Sequence, residues 1–334
     1  MPIIGLGPHG ERASSLVRLE LSAEEAETIR AGRFRVAIVL HTTASDWARQ
    51  QIAGMIRQFE ESGTDIVEIV DCRFSTAVQN AALERLAGAG LSGVISLPVG
   101  NAAVADAHRA VVRSGASLVL LDNAPAGLAP GLDYVCVVSA DNFGLGQIAA
   151  ELLSPCLPQG SLAGIISYGS DFFATQQREI AFRKWMGQNR PDIGLKAARF
   201  TDVNLVAPIV DGLIAGNLGL AGLFAVWDAP AMQAVAALKS RMRSLPITTV
   251  DLGNEVAIEM ARGGPVKGLG AQQPYDQGMT AATALLQCLA GRPPSCWIAL
   301  PGLRVTQSTL VDAYQKVWHT KPPHDLMAAL GRPS

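Results

Sequence analysis

The chain has 334 residues, 49% of them apolar, with 27 Lys plus Arg against 29 Asp plus Glu. That length exceeds a typical single domain and predicts two buried cores, while a formal net charge of −2 gives no electrostatic reason to bind nucleic acid or an acidic membrane surface. Gly, Asp, Arg or Gln interrupts the apolar runs every few positions, so no stretch approaches the length of a bilayer span.

Met1 to Gly10 lacks the cationic head, apolar middle and small-residue cleavage site expected of a secretory signal. Within it, Gly5-Leu-Gly-Pro-His-Gly10 has the spacing of a dinucleotide-binding turn, but only four residues precede it and no βαβ unit follows. This segment reads as a disordered tail. Ser22-Ala-Glu-Glu25 is a capping box that opens a short polar helix from Leu21 to Gly32, so residues 1–34 form a lead-in rather than a domain.

From Arg35 the pattern alternates strand and helix. Val36 to Leu40 is a buried apolar run, Asp46 can cap a helix carrying Ile52, Met55, Ile56 and Phe59, and Gly63 stops that helix before a strand from Ile66 to Val70. The alternation continues with helices near Thr76 to Leu86 and Ala102 to Val112, and with strands Gly93 to Leu97, Leu118 to Leu121 and Val135 to Val138. A second series repeats it. Its strands are Gly164 to Tyr168, Lys196 to Phe200, Gly222 to Val226, Ile247 to Val250 and Val266 to Leu269, with helices between them. A helix to Leu289 and a strand near Trp297 to Leu300 return to the first half.

The predicted fold is α/β, with two doubly wound Rossmann-like lobes of parallel sheet and three crossovers at a hinge. The lobes comprise residues 35–140 plus 273–302 and 141–272 plus 303–334. No internal sequence repeat is read between them. Five cysteines, at 72, 136, 156, 288 and 296, form no CxxC pair and read mostly as buried free thiols, with Cys288 and Cys296 a pair that an oxidising compartment could bridge. His319 and His324 share no helical face and have no companion ligand, so no metal or other cofactor is implied.

Several polar segments sit where a strand hands over to a helix, the edge at which open α/β sheets place ligands. These are His41-Thr-Thr-Ala-Ser-Asp-Trp47, Leu121-Asp122-Asn123, Ser139-Ala-Asp-Asn142, Gln177-Arg178-Glu-Ile-Ala-Phe182, Val226-Trp227-Asp228, Val250-Asp251-Leu252-Gly253 and Ala271-Gln272. As an ordered set from about Arg35 to the C-terminus they resemble the periplasmic sugar-binding proteins of ABC importers. The resemblance is to the ribose- and galactose-binding type I group, related to the sensor cores of lac-type repressors. It implies a non-catalytic, monomeric, periplasmic or lipid-anchored receptor that closes on a monosaccharide or polyol and delivers it to a permease; a cytoplasmic location is the alternative.

The site residues that follow from this resemblance are His41, Asp46, Trp47, Asp122, Asn123, Phe173, Arg178, Trp227, Asp251 and Gln272. Their chemistry suits a sugar. Carboxylates accept hydroxyl hydrogen bonds, a guanidinium donates a fork, an amide does both and an indole covers the C–H face of the ring. Asp46 and Asp141 also fit plain helix caps, and His41 fits a buried structural imidazole equally well. Many relatives carry Arg where this chain has Asn123 and a polar amide where it has Trp227. With the Phe172-Phe173 pair, these changes point to a deoxy or branched sugar, a pentose or a polyol. A regulator's sensor core would need a DNA-reading helix ahead of the first strand, and residues 1–34 offer none. An enzyme using His41 with Asp46 or Asp122 finds no nucleophile, phosphate-loop or metal motif in support.

Overall fold

The computed structural model describes residues 2–13 and 19–331. In chain order its elements are α1 (Ala23–Gly32), β1 (Arg35–Leu40), α2 (Asp46–Ser62), β2 (Asp65–Asp71), α3 (Thr76–Ala87), β3 (Gly93–Ser96), α4 (Ala105–Arg113), β4 (Ser117–Leu121), β5 (Cys136–Ala140), α5 (Asn142–Leu153), β6 (Leu162–Tyr168) and α6 (Phe173–Asn189). Then come β7 (Gly194–Phe200), α7 (Val206–Ala215), β8 (Leu220–Ala225), α8 (Asp228–Ser240), β9 (Ile247–Val250), α9 (Asn254–Ala261), β10 (Val266–Ala271), α10 (Pro274–Leu289), β11 (Trp297–Leu300), β12 (Leu303–Val305), α11 (Leu310–Trp318) and α12 (His324–Ala329). The expected helix over 102–112 begins as a 3-10 turn at Ala102–Val104, with no side-chain cap from Asn101.

Two six-stranded sheets result, ordered β11-β5-β4-β3-β1-β2 and β12-β10-β9-β8-β6-β7. The chain therefore passes between sheets after β5, after β10 and after β11. Pairing is parallel except at β12, which runs antiparallel to β10. Only Pro301-Gly302 separates β12 from β11, so the chain steps directly from the first sheet onto the edge of the second.

Period-two geometry explains why the strands of the first sheet are apolar on both sides. Val36, Ile38 and Leu40 enter one core with Met55, Phe59 and Leu285 of α2 and α10. Ala37 and Val39, pointing the other way, enter a second core with Leu83 and Val111 of α3 and α4. The second sheet is covered in the same manner, around Ile165, Phe182, Phe224 and Leu269.

A positional repeat that the sequence does not advertise links the two halves. Gly278, four residues into α10, lies so close to α2 that an added Cβ would overlap the backbone carbonyl of Gln51. Gly146, four residues into α5, lies equally close to the carbonyl of Arg178 on α6. Gln51 and Arg178 are each five residues into their helices. Because the obstruction is backbone, Gly278→Ala is expected to destabilise the fold by about 2–3 kcal/mol; an unchanged urea midpoint would contradict this close approach.

Other expectations are corrected. The tail is docked rather than disordered: the Ile4 and Gly5 amides donate to Asp141, Gly7 sits against the Trp297 ring, and Ile3 and Ala13 pack on the first-sheet core. The capping box forms as drawn, but Glu25 also accepts from Arg292 beyond α10, and that bond holds its carboxyl down at about 2. All five cysteines are free, and only Cys72 and Cys136 are buried; Cys156 and Cys296 lie in exposed connections outside either core.

Candidate ligand-binding site

β4 and β9 hold the same place in their sheets, and each is followed directly by an aspartate. The Asp122 amide donates to Val138 of β5, and the Asp251 amide donates to Gly270 of β10, so each makes a last ladder bond. Each then turns into the left-handed region, at φ 53° and 75°. That conformation is uncommon for a residue with a Cβ and clusters at functional sites. It brings both carboxylates, buried, to the edge where the two sheets face one another.

Around Asp251 the second lobe supplies a cation. Arg178 is buried, with Nη1 3.7 Å from Asp251 Oδ2. Its Nε donates to Asn142 Oδ1 and its Nη1 to the Val226 carbonyl, both at 2.9 Å. Glu179, the obvious surface partner, pairs instead with Arg183. Gln272 donates to Asp251 Oδ1 at 2.6 Å, while its own Oε1 is buried and unpartnered. Burial raises the Asp251 pKa against the pull of Arg178 and Gln272. Burial and the charge of Asp251 push the neighbouring Asp228 up to about 7.

Around Asp122 the first lobe supplies amides only. Gln277 donates to Asp122 Oδ2 at 3.0 Å and to the Val138 carbonyl at 3.2 Å. Asp122 Oδ1, Gln277 Oε1 and both amide atoms of Gln51 are buried without a hydrogen-bond partner. Burial pushes the Asp122 carboxyl up to about 6 despite the Gln277 bond and the charge of Arg178. Unpartnered buried polar atoms cost about 1–3 kcal/mol each, and these first-lobe atoms stand opposite the unpartnered Gln272 Oε1 of the second.

The remaining sequence-predicted residues fall into distinct places. Trp47 packs on the first-sheet core, lines the interlobe recess, and has its indole N–H buried without a partner. His41 sits edge-on to Trp47 and Phe74, and burial lowers its pKa to about 4. Its imidazole is therefore neutral near pH 7. Asn123 turns into its own lobe and donates to the Gly100 carbonyl. Trp227 joins Tyr168 and Phe200 in an aromatic cluster on the second lobe. Phe173 opens α6 half-buried, whereas it is Phe172 that reaches the first-sheet core.

Asp46 is not the cap of α2. Ser45 is, accepting from the Ala48 amide, because a cap must precede the helix and Asp46 already has helical geometry. Asp46 instead crosses between lobes, with Oδ2 accepting from the Asn254 backbone amide and side chain at 3.1 Å each. Asn101 and Asp171 make a second bridge. Asp141 is a cap, accepting from the Gly144 amide.

Between these bridges and the strand ends lies a recess of about 270 Å³ including its open mouth, lined by Asp46, Trp47, Asp228, Asp251, Gln272 and Trp318 among others. Its walls close to within the room of about one water molecule. Gln51, Asn254 and Trp318 lie outside the segments picked out from the sequence, and Asn142, Asp228 and Gln277 lie outside the predicted set of site residues. Gln51 is matched to Arg178 only once the helices are seated on Gly278 and Gly146, and only tertiary structure brings Gln277 to Asp122, 155 positions away.

Comparison with known proteins agrees with this geometry. The family model described as periplasmic binding protein domain matches residues 36–293. An ABC transporter solute-binding protein from Agrobacterium vitis, solved with alpha-D-tagatopyranose, superposes with a TM-score of 0.77 at 18% identity, covering 84% of this chain and 96% of its own. Another from the same organism, solved with allitol, gives 0.75 at 17% identity, with 85% and 98% covered. A carbohydrate transporter solute-binding protein from Agrobacterium radiobacter, in complex with D-arabinose, gives 0.76 at 17% identity, with 87% and 99% covered. No curated protein sequence matches significantly. Two sheets with strand-end carboxylates facing across a hinged cleft, together with a family match over most of the length, show that the chain belongs to the periplasmic binding protein domain family.

Proposed function

We propose that the protein is the solute-binding component of an ABC transporter, capturing a monosaccharide or polyol between its lobes and presenting it to a permease. One observation carries this reading above the others. Buried polar atoms without partners, on Trp47, Asp122 and Gln277 of the first lobe and on Gln272 at the edge of the second, lie around the strand ends that carry Asp122 and Asp251. A molecule bearing several hydroxyls, each donating and accepting, satisfies such a set. The relatives solved with tagatopyranose, allitol and arabinose support the ligand class.

In this reading Asp122, Asp251, Arg178, Gln272 and Trp47 form the contact set. His41, Asn123, Phe173 and Trp227 shape its walls, and Asp46 latches the lobes shut through Asn254. The lobes comprise residues 35–140 plus 273–302 and 141–272 plus 303–334, and a ligand enters when the Asp46 and Asn101 bridges part. The protein acts as a monomer outside the cytoplasmic membrane. No described helix is long and apolar enough to cross a membrane itself.

Thermal unfolding measured against a panel of pentoses, hexoses and reduced sugars is the test. At least one ligand present at about a hundred times its Kd is expected to stabilise the protein by about 2.7 kcal/mol, and to be recovered chemically unchanged. Consumption of the ligand at catalytic protein levels, or no stabilisation by any member, would overturn the proposal.

A further inference from the structure

The cleft carries more negative charge than it neutralises. Asp46, Asp228 and Asp251 line the recess, no Lys, Arg or His is among its lining residues, and Asp122 lies behind it within reach of the charges of Arg178 and Asp251. Two of these carboxylates have cations: Asp46 pairs with Arg49 on its solvent side and Asp251 with Arg178. Asp228 and Asp122 have none among the described residues. Their partners are neutral: the Ala229 and Gly253 amides for Asp228, and Gln277 and the Ala140 amide for Asp122.

This surplus follows from how the two halves correspond. Arg178 and Gln51 occupy matching helix positions, each with its carbonyl against the matching glycine, Gly146 or Gly278. Asp251 and Asp122 occupy matching strand ends. The second lobe thus sets a guanidinium beside its aspartate, and the first lobe sets a neutral amide at the equivalent place. Gln51 is fully buried with neither amide atom partnered, and Asp122 Oδ1 and Gln272 Oε1 are buried acceptors awaiting donors. The described residues bring no three metal-ligating side chains together, so a single metal ion does not answer this arrangement. Trp47 and Trp318 add two indole faces to the same recess, the side chains that best attract an organic cation.

Resting on the reading of the cleft as a sugar or polyol site, we infer that the ligand carries a protonated amine, as an amino sugar or amino polyol does. Its ammonium meets the carboxylates of Asp122 and Asp228, which have no cation of their own, its hydroxyls meet Gln272 and Asp251, and an indole covers its C–H face.

Calorimetric titration of the full chain with matched pairs tests this: glucosamine against glucose, galactosamine against galactose, and glucamine against sorbitol, each amine also in N-acetylated form. In at least one pair the amine is expected to bind about tenfold or more tighter than its neutral partner, with N-acetylation removing the advantage. Asp228→Asn is expected to shrink the gap in that pair. Neutral members binding as tightly as their amines, or a gap unmoved by both N-acetylation and Asp228→Asn, would overturn the inference while leaving the solute-binding function standing. Failure of every amine and every neutral member, in these pairs and in the wider sugar panel, would overturn both.

Discussion

Arg178→Ala is expected to abolish measurable ligand binding and to lower the stability of the ligand-free protein by about 3–5 kcal/mol. From sequence, Arg178 reads as a fork for the ligand edge, and removing such a fork would spare the fold. Its burial changes that expectation. The guanidinium stands between Asp251, Asn142 Oδ1 and the Val226 carbonyl, so alanine strands two buried acceptors and a buried carboxylate together. Protonation of Asp251 then limits the loss. Lysine is no substitute, because a single ammonium cannot reproduce the planar geometry that reaches both Asn142 and Val226. Urea unfolding and calorimetric titration check the two halves of the result separately. Stability within about 0.5 kcal/mol of the parent would show that Arg178 does not brace the apo cleft.

The second large effect is on pH dependence, with opposite signs in the free and bound protein. Burial raises Asp122 to about 6, above the value near 3.9 expected of an unfolded aspartate. Between those values the folded protein holds more protons than the unfolded chain, so its contribution to stability rises as pH falls through that window. The effect amounts to about 3 kcal/mol for Asp122, and Asp228, raised to about 7, adds to it from a higher pH. The gain is complete near pH 4. Below that, Glu25, held at about 2 by Arg292, contributes the reverse trend.

A bound ligand donating to Asp122 favours the ionised form, so affinity should fall by up to about tenfold per pH unit below 6. Asp122→Asn removes that part of both slopes. It is expected to make the ligand-free protein more stable at pH 8 and no more stable at pH 4, while binding ligand more weakly at pH 8. Equal pH profiles for the parent and the Asn variant, measured by unfolding and by titration, would contradict the burial of Asp122 as an uncompensated carboxyl.

Much of this fold was legible because its physics is local. Apolar runs bounded by Gly and Asp marked the strands, Ser22 and Glu25 marked the first helix, and Gly63 marked the end of α2. Asp122 and Asp251 stood out because carboxylates directly after buried strands are costly unless they serve a turn or a ligand. Adjacent residues were harder. Asn123 and Trp227 sit beside Asp122 and Asp228 but turn toward their own lobes, because successive side chains at a strand end diverge. Asp46 looked like a cap from its position, and only the folded chain brings it to Asn254, 208 positions away. The register match of Gln51 with Arg178 was hidden because the two halves share geometry rather than residue identity.

A crystal structure of the protein grown with the tightest ligand found by titration tests the central claim most directly. That ligand should lie between the lobes, with donors within hydrogen-bond distance of Asp122 Oδ1 and Gln272 Oε1, oxygens facing Arg178 and Asp251, and one ring or chain face against Trp47. A ligand seated elsewhere, with those buried atoms still unpartnered, would contradict it.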